Sequence, residues 1–342
     1  MALLRSILKP FALMLLAGYG WLRLRFVNEP TLLILTYHRI LPVDAPERSC
    51  EQPGMVTSPE LLTKHINLVR KFGAEPIHLD DWLERKQSKK NLPRLAVAFT
   101  FDDGWRDNFQ YAYPQLKAQN IPATIFLVTR LVDTCETFWP EHILRLLTSS
   151  PDAEVNIQHQ WLVPFLNRED AYSLPLSLDK ADKVISKLKA LPDEVIYNHL
   201  KKIKRGYDTA EELSQNRSIL SKQEIAEMGE SGLVKFGAHT RNHLRLNFLH
   251  DQEILRTEIV DCFEDMQFLG NMAIPIFCYP NGNVTSKAEE LVRKTYRAAC
   301  TTKTGWNPAA SRSSYDLHRF NLHDGNSLSV LHFLATIGRA IL

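Results

Sequence analysis

Short apolar runs alternate with amphipathic stretches along most of the chain, and this alternation sets the first expectation. Thr31–Thr36 (TLLILT), Leu95–Phe99, Ala123–Val128, Leu233–Phe236 and Ile274–Pro280 are continuous runs rich in apolar and β-branched residues, each of strand length. Runs without polar alternation predict strands buried on both faces, as in a parallel sheet. Glu75–Leu79, Arg297–Thr302 and His318–Leu322 are weaker strand candidates. Helical spacing fills the gaps at Ser58–Phe72, Trp105–Gln119, Gln252–Leu269, Ser286–Tyr296 and the apolar Ser327–Leu342. Ser58-Pro59-Glu60 has the form of a helix start, with proline at the first helical position. Ser221-Lys222-Gln223-Glu224 has the spacing of a capping box and opens a helix that ends at Gly232. Strong and weak candidates together give about seven or eight strands alternating with helices. The expectation is an α/β fold with a closed or nearly closed parallel barrel.

Two stretches break the alternation. Leu131 to about Gln215 reads as a mostly helical insertion or lid, with helical segments at His142–Leu147 and Lys180–Ile203. At the N-terminus, Pro10–Leu22 is uncharged, with Arg5 and Lys9 before it and Arg23 and Arg25 after it. The run falls short of the roughly 20 apolar residues that a membrane span needs. A signal-peptide core, an uncleaved signal anchor, an interfacial helix and a surface helix packed on its own domain all fit it. Trp21 and the flanking arginines favour membrane association, in the cell envelope, with the side of the membrane left open. The expected organisation is a membrane-associated or signal-anchor segment at 1–27. A barrel at 28–342 follows, carrying the insertion at about 131–215.

Composition narrows the classes. The chain has 342 residues, formal net charge +2 and 44% hydrophobic residues, an ordinary globular balance with no basic stripe for nucleic acid. Cys50, Cys135, Cys262, Cys278 and Cys300 are scattered with no CxxC pair, so neither a disulfide framework nor a cysteine zinc site is indicated.

Candidate chemistry sits where strands end. Thr100-Phe101-Asp102-Asp103-Gly104 closes one apolar run with adjacent carboxylates and a turn glycine. Neighbouring residues at a strand end point in different directions, so one carboxylate can bind a cation while the other handles a proton. Taken alone, Asp-Asp-Gly is more often an acidic turn before a helix with an Asp as its cap. His239-Thr240-Arg241-Asn242-His243, Tyr279-Pro280 and His38 also follow strands. In a parallel barrel these strand ends gather on one face. Two imidazoles and a carboxylate make a three-ligand set that leaves a metal position open for water or substrate.

Thr100–Gly104 and His239–His243 resemble the first two motifs of the polysaccharide deacetylases of carbohydrate esterase family 4, the NodB-homology domain. Phe277-Cys278-Tyr279-Pro280-Asn281-Gly282 is similar to the third, and the likeness spans roughly Pro30 to Leu322 apart from the insertion. The resemblance implies a distorted (β/α) barrel and metal-dependent removal of N-acetyl, sometimes O-acetyl, groups from a polysaccharide or a lipid-linked glycan. It implies Asp103, His239 and His243 as ligands of a divalent metal, with zinc favoured by ligand chemistry. Asp102 would be the general base, and the backbone N–H of Tyr279 a donor to the oxyanion. The family's third motif carries an arginine that orients the base, and this chain has Cys278 there. Either Arg319 substitutes or the base lacks this partner. The family's general-acid histidine lies in a late L-x-H motif. Leu35-Thr36-Tyr37-His38 suggests the circularly permuted arrangement of some exopolysaccharide deacetylases and makes His38 the first candidate; His323 in Leu322-His323-Asp324 is its rival. A catalytically silent carbohydrate-binding relative is the competing reading, motivated by Cys278. His65, His142 and His250 are expected to be structural or solvated.

Overall fold

The computed structural model describes residues 2–148, 160–167, 169–170, 175–202, 217–282, 284–311 and 313–339. Its centre is a curled, mostly parallel sheet. The strands are β1 (Thr31–Tyr37), β2 (Leu95–Phe101), β3 (Ala123–Leu127), β4 (Val234–Ala238), β5 (Ala273–Cys278), β6 (Ala298–Cys300) and β7 (Asn307–Pro308). They lie in the order β7-β1-β2-β3-β4-β5-β6, with only β7 antiparallel to its neighbour. All seven residues of β1 and all seven of β2 are buried, which is why their sequences lack polar alternation. The two pair in register from Thr31↔Leu95 to Tyr37↔Phe101.

The weak candidate at His318–Leu322 is observed as a shorter strand, Phe320–Asn321, and it brings the sheet close to closure. Phe320 pairs with Leu35 of β1, while Leu317 bridges Cys300 of β6, both in parallel. The segment thus joins the first and last parallel strands, and the architecture is a distorted (β/α) barrel. Glu75–Pro76 is all that forms of the Glu75–Leu79 candidate, and it adds to β2.

The helices follow the capping signals. Ser58 accepts from the Leu61 N–H at 3.2 Å and Pro59 opens α2 (Pro59–Lys71). Ser221 and Glu224 form the reciprocal capping box at the next helix, Lys222–Glu230. Two expected helices are less regular than their spacing implies. The stretch after Trp105 contains a π-turn at Asn108–Ala112 before Tyr113–Gln119. Pro114 lies just beyond it and has no N–H to continue the ladder. Gln252–Leu269 breaks into Gln252–Arg256, a π-turn at Thr257–Asp261, Cys262–Asp265 and a 3₁₀ stretch from Met266.

Within 131–215 the described helices are Trp139–Thr148, Leu178–Leu188 and Asp193–Lys202; the expected Lys180–Ile203 helix is two, separated at Pro192. Ile143, Leu144, Leu147, Leu162, Val184, Ile185, Leu188 and Ile196 pack into a core of their own. Positions 149–159 and 203–216 lie outside the described residues, as do Asn283 and the end of the Ser327–Leu342 candidate, whose helix is observed at Val330–Gly338. The N-terminal run is one helix, α1 (Ala2–Arg25), packed on Val330–Gly338. No helix among the described residues is long and apolar enough to cross a membrane.

Candidate active site

The rim at the C-terminal ends of the strands collects most of the candidate residues. Asp102 and Asp103 leave β2, His239 leaves β4, and His38 leaves β1. The turns are tight. Asp103, Thr240 and His243 have φ of 74°, 62° and 60°, in the left-handed region that non-glycine residues seldom adopt. Gly104 continues the Asp103 turn at φ 75°. A side chain there would press on Leu127, so the glycine is required by both conformation and space.

Asp103 Oδ1 lies 3.4 Å from His239 Nε2 and 3.3 Å from His243 Nε2. This oxygen is buried and has no hydrogen-bond partner, while Oδ2 accepts from Trp105 Nε1 at 3.0 Å. Donor atoms bound tetrahedrally at about 2.0–2.1 Å from one ion stand roughly 3.3–3.4 Å apart. His239 Nδ1 lies 2.8 Å from the Cys278 carbonyl, which only accepts, so Nδ1 carries a proton and Nε2 is the nitrogen turned toward Asp103 and available to a cation. An orphaned carboxylate oxygen facing two imidazole nitrogens therefore fits a divalent cation. Burial raises the Asp103 carboxyl, but the nearby His239 and His243 imidazoles more than offset this and hold it well below the usual carboxylate range. A second cluster, Asp102–His239–Cys278, fits an ion less well. Arg319 holds both oxygens of Asp102, and burial pushes the Cys278 thiol up, away from the thiolate a metal needs.

Arg319 resolves how Asp102 is held. Its guanidinium donates to Asp102 Oδ1 at 2.7 Å and Oδ2 at 2.9 Å, a bidentate clamp, while its Nε donates to Thr301 O at 2.9 Å. Burial raises the Asp102 carboxyl, but the charge and hydrogen bonds of Arg319 lead the effects that more than offset this and keep it below its ordinary range. Cys278 Sγ sits 3.7 Å from Asp102 Oδ2.

His38 Nε2 is 3.8 Å from Asp102 Oδ2, and burial pushes its imidazole below the ordinary histidine range. His323 is placed differently. It caps the turn Asp324–Ser327, and its Nδ1 accepts from the Gly325 N–H at 3.1 Å. The structure brings His38, and not the His323 ring, into contact with Asp102. Tyr279 requires a correction. Its backbone N–H donates to Cys300 O at 3.1 Å, extending the β5–β6 ladder beyond Cys278↔Cys300, so it is not a free oxyanion donor. Its ring is buried against Phe277. His65 is structural as expected, bonded to Tyr37 and Ser327.

Several contributors carried no sequence signal. Asp107 accepts from Arg39 Nε and from the Ile40 N–H, each at 2.7 Å, and Asn108 donates to His38 O at 2.9 Å. These bonds fix the His38 backbone to the helix that follows Gly104. Arg39 also bonds Glu51 and lies over the Trp105 ring at 4.3 Å. Phe138, from the insertion, meets the His243 ring edge-on at 4.9 Å and Trp105 at 5.1 Å. Glu141, one turn on, keeps a buried Oε2 without a hydrogen-bond partner, and burial with the nearby Glu51 pushes its carboxyl up. A strand-end carboxylate with two turn histidines and a proline-bearing third turn would have pointed to the site without any of these.

The fold and site together define a class, an α/β barrel with a carboxylate–imidazole cluster at its strand-end rim that could hold a cation. The chain belongs to the polysaccharide deacetylase family, whose model matches residues 89–299. The match includes Asp102, Asp103, His239, His243 and Tyr279, whereas His38 and Arg319 lie outside it. The chain is similar to the putative polysaccharide deacetylase YxkH of Bacillus subtilis, 24% identical over 247 residues. That similarity covers 71% of this chain and 56% of YxkH, so the chain matches little more than half of that relative's length. Among solved structures, Streptococcus pyogenes deacetylase PplD, in complex with acetate, aligns over 91% of this chain and 99% of its own, with TM-score 0.58 and 18% identity. IcaB from Ammonifex degensii aligns over 90% and 97%, with TM-score 0.53 and 18% identity. A de-N-acetylase from Aggregatibacter actinomycetemcomitans aligns over 84% and 95%, with TM-score 0.52 and 18% identity.

Proposed function

We propose that this protein is a divalent-metal-dependent deacetylase that removes N-acetyl groups from an amino-sugar polymer or a lipid-linked glycan. The observation that carries this reading is the unpartnered Asp103 oxygen facing His239 and His243, one residue from the arginine-clamped Asp102. Asp103, His239 and His243 hold the ion, and zinc suits one carboxylate and two imidazoles. The bound ion would polarise the acetyl carbonyl and ease ionisation of the attacking water. Asp102, kept anionic and fixed in orientation by Arg319, takes the proton from that water. His38 is neutral at rest and stands within 3.8 Å of Asp102, so it is placed to receive that proton and deliver it to the departing amine. The printed names of similar proteins, deacetylases and a de-N-acetylase, support the acetyl chemistry.

The silent carbohydrate-binding alternative drew on the missing third-motif arginine, and Arg319 removes that motive. The test is acetate release from acetylated amino-sugar oligomers by zinc- or cobalt-loaded protein, alongside Asp102→Asn. The reading expects the variant to keep its metal and lose turnover. Intact protein that binds glycan but releases no acetate would establish the silent alternative instead.

A further inference from the structure

Nine of the fourteen large hydrophobic residues exposed among the described residues lie on or beside the terminal helices, so the exposed apolar surface is concentrated in one place. Phe11, Met14 and Leu15 on α1, and Phe26 just after it, each expose 60–62% of their surface. Trp21 and Leu22 continue the same side of α1, following the helical spacing 11, 14, 15, 18, 22. The opposite side is already used. Ala17 and Leu24 are buried, and Gly20 and Gly338 sit so close to the facing helix that a side chain on either would collide with its backbone. Gly20 faces Leu334 and Gly338 faces Leu16, so the two helices run antiparallel. That register sets the exposed Leu328, Val330 and Leu331 beside the Trp21–Phe26 end of α1. Arg23 lies 5.2 Å over the Trp306 ring, and Trp306 Nε1 donates to Ile337 O, so the pair is docked on the barrel.

The charge around this surface is one-sided. The chain has 39 acidic residues, yet none falls in 1–28 or 325–342. Exposed Lys9, Arg25 and Arg339 rim the patch. Glu29 and Asp324 lie just beyond these segments, Asp324 paired with Arg48, so an apolar helix face with aromatic residues and a mainly cationic border matches an anionic lipid interface. Because α1 is about 36 Å long but not apolar enough to span, it would lie along the interface.

We infer that α1 and Val330–Gly338 form a paired-helix platform that seats the enzyme on the surface of an anionic lipid bilayer without crossing it. This does not rest on the deacetylase reading, since lipid binding is read without turnover.

The test is flotation of the full-length protein with vesicles of phosphatidylcholine alone and with added phosphatidylglycerol. Wild type is expected to float with the anionic vesicles. Leu15→Gln/Leu22→Gln, which leaves the packed side of α1 intact, should lower the bound fraction at least about tenfold while acetate release from a soluble oligomer is unchanged. Lys9→Gln/Arg25→Gln should remove the preference for anionic lipid. Brominated lipid should quench tryptophan emission in wild type, and Trp21→Phe should lose most of that quenching. Wild type that stays unbound with anionic vesicles overturns the inference. So does a dimer that Leu15→Gln/Leu22→Gln converts to monomer, because the face would then belong to a second copy.

Discussion

Asp102 and Arg319 stand 217 positions apart and meet through two short bonds of 2.7 and 2.9 Å. A carboxylate that is buried and must act as a base needs a partner that keeps it ionised and fixes its lone pairs. A guanidinium does both, because its planar fork matches both oxygens at once, whereas an ammonium is a point charge. Arg319→Lys is therefore expected to lower kcat by about 10–100-fold with metal content unchanged, as measured by steady-state acetate release and metal analysis. Equal kcat in the variant would mean that the clamp has no catalytic role. Cys278 occupies the space beside Asp102, and its thiol is held neutral by burial, so Cys278→Ser should leave metal content near wild type.

At the scale of elements, the site depends on how β1 is tied to the turn after β2. Asp107 receives the Arg39 side chain and the Ile40 N–H in a buried setting. Asp107→Ala leaves the Arg39 charge buried with only Glu51, and should cost about 3–5 kcal/mol in denaturant unfolding. The same region has a pH-sensitive packing element. His65 in α2 accepts from Tyr37 through Nδ1 and donates to Ser327 O through Nε2, and burial lowers its pKa to about 4. The folded protein thus prefers neutral His65. Its contribution is fully present above the unfolded pKa near 6.5 and is lost as pH falls toward 4, at about 1.4 kcal/mol per unit. Melting temperature should drop over that window, and His65→Gln should flatten the drop.

Much of this was legible in the sequence for a physical reason. Parallel strands buried on both faces leave uninterrupted apolar runs, and the metal motifs are short and local, so β2, β4 and their turns could be read directly. Arg319, His38 and His323 were readable only as alternatives, because which of them faces Asp102 depends on how β1 and the 317–321 segment bring the sheet toward closure. Asp107 and Asn108 gave no signal, since their partners lie far away and an Asp-Asn pair in a helix looks solvated. Tyr279 misled because a motif assigns an N–H a role without showing that Cys300 O already takes it. The helix irregularities at Pro114 and Pro192 are local, and the apolar spacing around each continues through them, so the sequence reads as unbroken helix there.

For the molecule as a whole, the proposed function places catalysis at one barrel rim, with the ion held by Asp103, His239 and His243 and the proton handled by Asp102. Turnover on this reading requires one divalent ion at that rim. The most direct measurement is acetate release from chelator-stripped protein during titration with zinc. No turnover is expected before addition, then a rise that saturates at one equivalent, and no recovery in Asp103→Asn at matched zinc. Full activity in the stripped protein, or in Asp103→Asn, would contradict this reading.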